Sequence, residues 1–462
     1  MPNGNALKQI DTIVIVMLEN RSFDHMLSHL SYNGINHVVD GLRAPLDNPL
    51  YANVFEGEAY PPFIMRDGQL PCDVPHERKF VTRQLAYHQV TNRYAMNGFV
   101  DAYYNFTTVN RTQHPEAMGF LHRSQVPITS FLAQHFSVCD RWFAPIPTST
   151  LPNRLMFLTG TTLVDSTGGA FPPRAGTFIL DWLSQHGVPW RVYHAGVFSF
   201  FWLLGKWDVV LGNDCREFAR FASDVATEPD NTFPKVILIE PSYGDAPRFG
   251  PPPNDNHAPG PVAPGEIFLH AIYSALVLNP ARWAKTLLIV TYDEHGGCFD
   301  HVPPLEVRMA PGGGAQFTEP FATTGPRVPA IVVSPLAVAG SVCHAAFDHT
   351  SILQLLAERF GAGATDYSAD VTARRNQGIR SLSDALTGPA DPRRPTPPAP
   401  PSPPGIPAGP YDRPSVFTPP APRGSPTSLH TAFLTAATQA IDQFTAQAEA
   451  KFPGITAWRT AL

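Results

Sequence analysis

The sequence has few cysteines, and those it has show no pairing pattern. The 462-residue chain contains an odd number of them and no CxxC motif: Cys72, Cys139, Cys215, Cys298 and Cys343. An odd count excludes a complete disulfide framework, and cysteines this scattered argue against a thiolate zinc site. We therefore expect free and mostly buried thiols.

Charge is also scarce, and basic charge is not in excess. Charged residues make up 16% of the chain, the net charge is -6 and the pI is near 6.3. Nucleic-acid-binding proteins usually carry a basic stripe, and anionic membranes attract basic clusters. The composition argues against both partners. The composition is compatible with a zwitterionic lipid as substrate, which would require at most peripheral contact with a membrane. It is also compatible with a soluble ester.

Long hydrophobic runs are missing as well. No apolar run approaches the roughly 18–20 residues that span a bilayer. The first residues show no signal peptide, so the sequence by itself predicts a cytoplasmic protein. The hydrophobic fraction of 43% is typical of a globular protein, and the length allows two or three domains without requiring them.

Short apolar runs alternate with helical patterns along most of the chain. We predict strands at 12–17, 189–194, 235–240, 286–292 and 327–334, and helices at 128–136, 266–278 and 351–359, the last capped by Thr350. Strands that alternate with helices indicate an α/β fold with a mostly parallel central sheet flanked by helices.

The remaining segments suggest how the chain is divided. Residues 1–387 are predicted to form the catalytic domain, in which 33–127 is an irregular insertion that walls a cleft. Residues 388–426 are dominated by proline and predict a semi-rigid arm. A helix is predicted over 427–451, docking on the catalytic domain within a C-terminal segment 427–462. Its apolar stripe comprises Phe433, Ala437, Ile441, Phe444 and Ala448.

Oxygen-bearing side chains follow two of the predicted strands. Glu19 and Asn20 follow the first strand, and Asp293 and Glu294 follow the strand at 286–292. Ligands of α/β sheets bind beyond the carboxyl ends of strands, and carboxylates and amides are hard ligands. These four residues predict one divalent-metal site. Acids at strand ends also cap helices or pair with arginine, which is the alternative.

A hydroxyl at a helix entrance supplies a candidate nucleophile. Thr150 precedes Pro152, and proline favours the first helical turn, so a helix is predicted to begin near Pro152. Free N–H groups at that end bind anions, and a hydroxyl beside a divalent cation ionises more readily. Asn153 is a candidate donor to the substrate. The alternative is that Thr150 only caps the helix.

Three histidines in loops or at strand ends are candidates for acid–base work. His76 and His257 lie in loops rich in proline, and His194 ends a predicted strand. Histidines near a phosphate can protonate a leaving group. His295 and His301 are predicted to support the neighbouring acids.

Five motifs together resemble a known family. They are IVMLENRSFDH at 15–25, TLPNRL at 150–155, YDEHGGCFDHVPP at 292–304, GPRVPAIVVSP at 325–335 and FDHTSI at 347–352. The chain resembles the bacterial phosphoesterase family of non-specific phospholipases C and related acid phosphatases, within the alkaline phosphatase-like superfamily.

The resemblance implies roles for the candidate residues. Glu19, Asn20, Asp293 and Glu294 match metal ligands, and Thr150, chosen over Thr148 and Ser149, matches the nucleophile that forms a phospho-enzyme. His76 and His257 match histidines of the phosphate pocket, with His194 as a third. The oxygen ligands suit Ca²⁺, Mg²⁺ or Mn²⁺, whereas the superfamily adds Zn²⁺. Secreted members of the family make a periplasmic or extracellular location the alternative to a cytoplasmic one.

The implied activity is that of a phospholipase C. Such an enzyme hydrolyses glycerophospholipids, such as phosphatidylcholine, to diacylglycerol and a phosphorylated head group through a phospho-threonine. The first alternative is an acid phosphatase acting on soluble phosphate esters. The second is a catalytically silent binding scaffold.

Overall fold

The strands of the described part of the chain form one large sheet and three two-stranded sheets. The structure, a computed structural model, describes residues 4–106, 111–363, 366–386, 397–404 and 427–462. The strands in chain order are β1 Thr12–Leu18, β2 Asn53–Phe55, β3 Glu58–Tyr60, β4 Phe63–Ile64, β5 Tyr87–His88, β6 Arg93–Tyr94, β7 Gly119–Phe120, β8 Ser137–Cys139, β9 Trp190–His194, β10 Cys215–Glu217, β11 Val236–Glu240, β12 Thr286–Tyr292, β13 Ala330–Val333 and β14 Val342–Cys343.

Helices occupy much of the chain between these strands. They are α1 Gly4–Gln9, α2 Phe23–Leu27, α3 His29–Tyr32, α4 Arg78–Leu85, α5 Phe99–Phe106, α6 Pro127–His135, α7 Thr150–Thr159, α8 Ile179–Gln185, α9 Phe200–Leu203, α10 Trp207–Val210, α11 Phe221–Thr227, α12 Ala263–Val277, α13 Pro280–Trp283, α14 Thr350–Phe360, α15 Ala369–Asn376, α16 Ser428–Gln443, α17 Thr445–Lys451 and α18 Ile455–Thr460. Among the described residues, none of them is long and apolar enough to cross a membrane.

The central sheet has eight strands in the order β10-β9-β11-β1-β12-β13-β8-β14. Of these eight, β13 alone runs against its neighbours, β12 and β8, and the remaining pairs are parallel. The predicted α/β fold with a mostly parallel sheet flanked by helices is confirmed. The direction of β13 was not visible in the sequence.

The two innermost strands carry the site. β1 and β12 are buried along their whole length, as their apolar and β-branched residues require. Their register pairs Leu18 with Tyr292. The residues that follow, Glu19 on one strand and Asp293 on the other, therefore leave the sheet side by side.

The turn after β12 depends on two glycines. Gly296 and Gly297 both adopt positive φ, at 61° and 69°. A Cβ on Gly296 would lie 2.1 Å from the carbonyl oxygen of Asn20, and one on Gly297 would lie 2.5 Å from that of Pro75. The glycine pair thus lets the end of β1 and the loop before α4 approach the acids.

The C-terminal segment packs on the catalytic domain. One predicted helix over 427–451 is instead two, because Phe444 leaves helical geometry at φ -124° and ψ 40°. The buried face of α16 includes Phe433, whose ring lies 6.1 Å from Phe200 and 5.8 Å from Tyr243. Most of the predicted arm, 388–426, lies outside the described residues. Within its described part, Pro398 accepts a hydrogen bond from the Tyr273 hydroxyl (2.8 Å). The division into domains stays a prediction.

Two helix starts differ slightly from expectation. α7 begins at Thr150 itself, with Ser149 at the N-cap position. α14 also begins at Thr350, so the capping position belongs to His349 and the predicted cap by Thr350 is wrong.

Candidate active site

Four buried side chains that carry oxygen lie at the carboxyl edge of β1 and β12: those of Glu19, Asn20, Asp293 and Glu294. The N–H groups of Asn20 and Glu294 both donate to Asp293 Oδ1, at 3.1 and 2.8 Å. Asn20 adopts a left-handed φ of 56°, which turns the chain sharply at the strand end. The sequence prediction that Glu19, Asn20, Asp293 and Glu294 share one place agrees with this geometry.

Thr150 faces this group from the first turn of α7. Its hydroxyl donates to Asn20 Oδ1 at 3.3 Å. The two neighbouring hydroxyls point elsewhere: that of Thr148 donates to the carbonyl of Asp165, and that of Ser149 bonds Thr167. Of the three candidates, Thr150 therefore presents its oxygen to the strand-end residues.

Asn153 does not face the cleft as a free donor. Its Nδ2 donates to the carbonyls of Thr148 and Ser149, and its Oδ1 accepts from the N–H of Ile146. The amide is thus used up in bracing the loop that carries Thr150. The predicted contact with substrate gives way to a loop-holding role.

Arg154 is the residue that the sequence reasoning missed. It is buried, and its guanidinium lies 3.2 Å from Glu19 Oε1 and 3.3 Å from Asp293 Oδ2. It also donates to the Tyr243 hydroxyl (3.0 Å) and lies over the rings of Phe200 and Tyr243. Arg154 follows Thr150 by four residues, and this i,i+4 spacing on one helix face was the available signal.

The carboxylates retain unused acceptor capacity despite Arg154. Both carboxylate oxygens of Glu19 and Oε1 of Glu294 are buried without a hydrogen bond. Burial raises the pKa of Glu19 well above its ordinary value against the opposing charge of Arg154, and it raises the pKa of Asp293 to about 6. Buried oxygens that lack donors and repel one another fit a divalent cation.

Two histidines lie beside Thr150 in a cavity. His76 and His257 line a cavity of about 240 Å³ together with Thr150, and their ring centroids are 6.2 Å apart. Each Nδ1 bonds a backbone carbonyl, that of Val74 and that of Ala258 respectively. Each Nε2 is left for contacts inside the cavity.

Carboxylates around the cavity keep both histidines basic. Burial acts to lower the pKa of His257, but Asp245, Asp73 and Glu19 outweigh it and raise that pKa to about 10. Burial also acts to lower the pKa of His76, but the charges of Glu294 and Asp73 outweigh it and raise that pKa above its ordinary value. Asp73, His76 and His257 also place ligand atoms within 4.8 Å of one another.

The loop that carries His257 is tied to the end of β1. The N–H of Glu19 donates to the carbonyl of Asp255 at 2.7 Å, and Arg21 Nε donates to that of Asn256 at 2.8 Å. These bonds bring a loop distant in sequence to the metal-site candidates.

Of the remaining predicted histidines, His295 contacts a strand-end acid, whereas His301 and His194 lie elsewhere. His295 contacts Glu294 (Nδ1 to Oε2, 3.2 Å), as expected of a supporting residue. His301 instead bonds Asp24, in a separate cluster with Asp300 and Arg327. His194 does not line the cavity: its ring packs on Phe452, 5.6 Å away.

His349 explains the FDHTSI motif. Its Nε2 donates to the carbonyl of Asp293 at 2.7 Å, while its Nδ1 accepts from the indole N–H of Trp142 at 3.1 Å. The motif therefore fixes the backbone of a strand-end acid.

The cavity walls come from distant parts of the chain. Beside the residues above, they comprise Asp73, Val74, Pro75, Glu77, Phe80, Phe106, Ser149, Thr167, Asp245, Thr427, Ser428 and Leu429. The 33–127 insertion contributes two aromatic rings, and α16 contributes its first turn. That the C-terminal helix reaches the cavity was not predicted from the sequence.

A family model described as the Phosphoesterase family matches residues 10–363, which include every candidate residue of the site. The chain belongs to the phosphoesterase family. It is accordingly a phosphoric ester hydrolase.

Relatives of this phosphoesterase occur in plants and bacteria. It is 30% identical to non-specific phospholipase C1 of Arabidopsis thaliana over 74% of this chain and 65% of that protein. It is also 30% identical to phospholipase C A of Mycobacterium tuberculosis, over 80% of this chain and 76% of that one. The phosphoesterase thus spans about two thirds to three quarters of these relatives.

Among solved structures, a protein in the alkaline phosphatase superfamily from Vibrio parahaemolyticus is similar at a TM-score of 0.29 and 13% identity. That match covers 52% of this chain and 61% of the other. The order and direction of the strands, and not this overlap, carry the fold assignment.

Proposed function

We propose that this phosphoesterase is a metal-dependent phospholipase C that acts through a phospho-threonine. The observation that carries the proposal is the position of Thr150. Its hydroxyl donates to Asn20 among the four buried oxygen-bearing side chains, and the residue also lines the cavity that holds two basic histidines. The names of the relatives, phospholipases C, supply the substrate class.

Glu19, Asn20, Asp293, Glu294 and Thr150 would hold one divalent ion. When bound, that ion lowers the pKa of a hydroxyl and offsets phosphate charge. The unbonded oxygens of Glu19 and Glu294 support such an ion. Oxygen donors favour Mg²⁺, Mn²⁺ or Ca²⁺, and Zn²⁺ remains a candidate through the superfamily.

The chain's own residues then account for the two displacements. Thr150 reacts as the alkoxide, after its hydroxyl proton has passed to solvent. Its Oγ1 forms a bond to phosphorus while the bond to the glycerol oxygen breaks, and His257, protonated at neutral pH, gives that oxygen its proton. The positive end of the α7 dipole attracts the phosphate oxygens. Water next attacks phosphorus, the bond to Thr150 breaks, and neutral His257 takes up the proton of the water.

The cavity rim suits a lipid with an organic cation. Phe80 and Phe106 stack edge to face at the entrance, 5.2 Å between centroids, and the Phe106 side chain is exposed. Aromatic faces attract quaternary ammonium groups, and such rings also tolerate acyl chains. We therefore propose phosphatidylcholine-like glycerophospholipids as substrates.

A pair of single substitutions tests the nucleophile. T150A removes the hydroxyl that faces Asn20, whereas S149A removes the adjacent hydroxyl that bonds Thr167. Phosphocholine release from phosphatidylcholine micelles and phosphate release from an aryl phosphate are measured on one preparation of each. We expect T150A to lose at least about 10³-fold in rate on both substrates, and S149A to remain within about tenfold of wild type.

The pattern of activities decides among the alternatives. Cleavage of the aryl phosphate alone would make the protein an acid phosphatase with the same nucleophile. Activity of T150A equal to that of S149A would refute the phospho-threonine. Activity on neither substrate, in metal-loaded wild type, would favour the silent scaffold.

A further inference from the structure

The first turn of α16 contacts a residue of the cavity. The Thr427 hydroxyl donates to Asp245 Oδ1 at 2.9 Å, and His430 Nδ1 donates to the Asp245 carbonyl at 3.0 Å. Thr427 also accepts the N–H of His430 (3.0 Å), so the same hydroxyl caps the helix. Asp245 is therefore held both through its side chain and through its backbone.

The second oxygen of Asp245 faces the catalytic candidate. Asp245 Oδ2 lies 3.6 Å from His257 Nε2, the ring nitrogen that is not bonded to a carbonyl. A carboxylate at this distance orients an imidazolium and stabilises its charge. The position of Asp245 therefore decides where the Nε2 proton of His257 points.

A separate contact links the same helix to the metal-site candidates. Phe433, two turns along α16, packs on the rings of Phe200 and Tyr243. Those rings support the guanidinium of Arg154, which pairs with Glu19 and Asp293. One helix thus contacts both Asp245 at the cavity and the aromatic rings that support Arg154.

We propose that Asp245 is a positioning residue for His257 and that the start of α16 holds it in place, so that the C-terminal helix is a working part of the catalytic site. The inference rests on the proposed role of His257 as the acid for the leaving group. It goes beyond that role in assigning a function to a helix outside the segment that matches the family.

A leaving-group comparison tests the proposal. A general acid matters most when the leaving alcohol is a poor one, and matters little for 4-nitrophenol. The variants are T427V, which removes the donor to Asp245, and D245N, which keeps an acceptor for Thr427 but removes the charge. T427S restores the hydroxyl. T435V is the matched control, because Thr435 is exposed and bonds only the backbone of its own helix in the described residues.

The expected result is a change in ratio. We expect T427V and D245N to lower kcat/KM on phosphatidylcholine by about tenfold or more while kcat/KM on a 4-nitrophenyl phosphodiester falls less than about threefold. The ratio kcat/KM is used because it does not include the later hydrolysis of the phospho-threonine, in which His257 also takes part. T427S and T435V are expected to match wild type on both. Equal losses on both substrates in T427V and D245N would reduce Asp245 to a structural residue, and no loss would overturn the proposal.

A readout without turnover separates this inference from the proposed function. The ring ¹⁵N resonances of His257, identified from the signal that H257N loses, report the contact of Nε2 with Asp245. They are expected to move in D245N and T427V and to stay in place in T435V. If wild type cleaves neither ester, the proposed function fails, and these resonances alone decide whether α16 positions His257. Unmoved resonances would refute the inference.

Discussion

Arg154 and its two carboxylates show how the site holds like charges together. Glu19 and Asp293 are fully buried, and each loses hydration that only a positive charge can replace. The guanidinium spans both, but it leaves the oxygens of Glu19 without hydrogen bonds. Arg154 therefore neutralises this edge of the sheet only in part, which agrees with the proposed divalent cation.

Removing Arg154 should consequently make the fold depend on metal. In R154M two buried carboxylates lose their partner, and we expect the free energy of unfolding of metal-free protein to fall by about 3–5 kcal/mol. Added divalent ion should restore more stability than it gives wild type, because it replaces the missing charge. Thermal unfolding with and without metal measures both effects.

Arg191 supplies the control for that substitution. It is also a buried arginine, and it pairs with Glu228 at 2.7 Å, away from the cavity residues. R191M should lose stability too, yet gain from metal only as much as wild type. An R154M protein as stable as wild type without metal would contradict the argument.

The residues that sequence reasoning found and those it missed differ in a physical way. Glu19, Asn20, Asp293 and Glu294 were predicted because parallel strands end at one edge of a sheet. Asp245 lies in an irregular loop, where no periodicity fixes the direction of a side chain. Asn153 was assigned to substrate because the sequence does not show that the preceding loop uses its amide.

At the scale of elements, a carboxylate from another helix caps the N-terminus of α6. Glu266 of α12 accepts the N–H groups of Ile128 and Thr129, the first ones of α6. Burial raises its pKa from 4.5 to about 7, because the loss of hydration outweighs the hydrogen bonds from Thr129 and Ile128. Two helices are thus joined by a group that binds its proton more tightly in the folded protein.

This junction predicts a pH dependence with a definite sign. Between pH 4.5 and about 7 the unfolded chain ionises Glu266 while the folded one keeps the proton, so this group's contribution to stability falls as pH rises. E266Q keeps an acceptor and does not titrate. We expect E266Q to exceed wild type in unfolding free energy by about 3 kcal/mol at pH 8 and to approach it at pH 4.5. Denaturant unfolding at both values measures this, and an equal difference at both would contradict it.

Elements were predictable where a pattern is local and less so where packing decides. The buried apolar runs of β1 and β12 predicted strands at nearly the observed bounds. The direction of β13 depends on the path of 293–329, which has no regular pattern. Likewise the break of the C-terminal helix at Phe444 reflects its packing on Trp207, 5.4 Å between centroids, which no stripe in the sequence predicts.

At the scale of the whole molecule, the strand-end acids can be compared with a second buried acidic cluster, in which the ligand atoms of Asp24, Asp300 and His301 lie within 4.8 Å of one another. The strand-end group leaves oxygens unbonded, whereas Asp24 and Asp300 are bridged by the guanidinium of Arg327 at 3.2 and 2.9 Å. Each group contains a buried arginine, so the difference lies in the carboxylate oxygens of Glu19 and Glu294 that have no hydrogen bond. We therefore propose the first group as the metal site.

Metal analysis of two matched variants tests that assignment. D293N and D300N each neutralise one buried aspartate, in the first and the second group respectively. After dialysis against metal-free buffer and reloading, we expect about one equivalent of divalent ion in wild type and D300N, and far less in D293N. Chelation should lower the melting temperature of wild type and D300N but not of D293N. Full metal content in D293N would refute the site.

The central place of β1 also has a consequence for how the protein is made. β1 is synthesised long before its neighbours in the sheet, β11 and β12, which begin at Val236 and Thr286. At about 5–20 residues per second, the ribosome takes on the order of 10 to 40 s to deliver the first of these neighbours. During that interval an apolar strand has both edges open, a state prone to aggregation. Overproduction of this protein should accordingly respond strongly to the supply of chaperones that bind nascent chains.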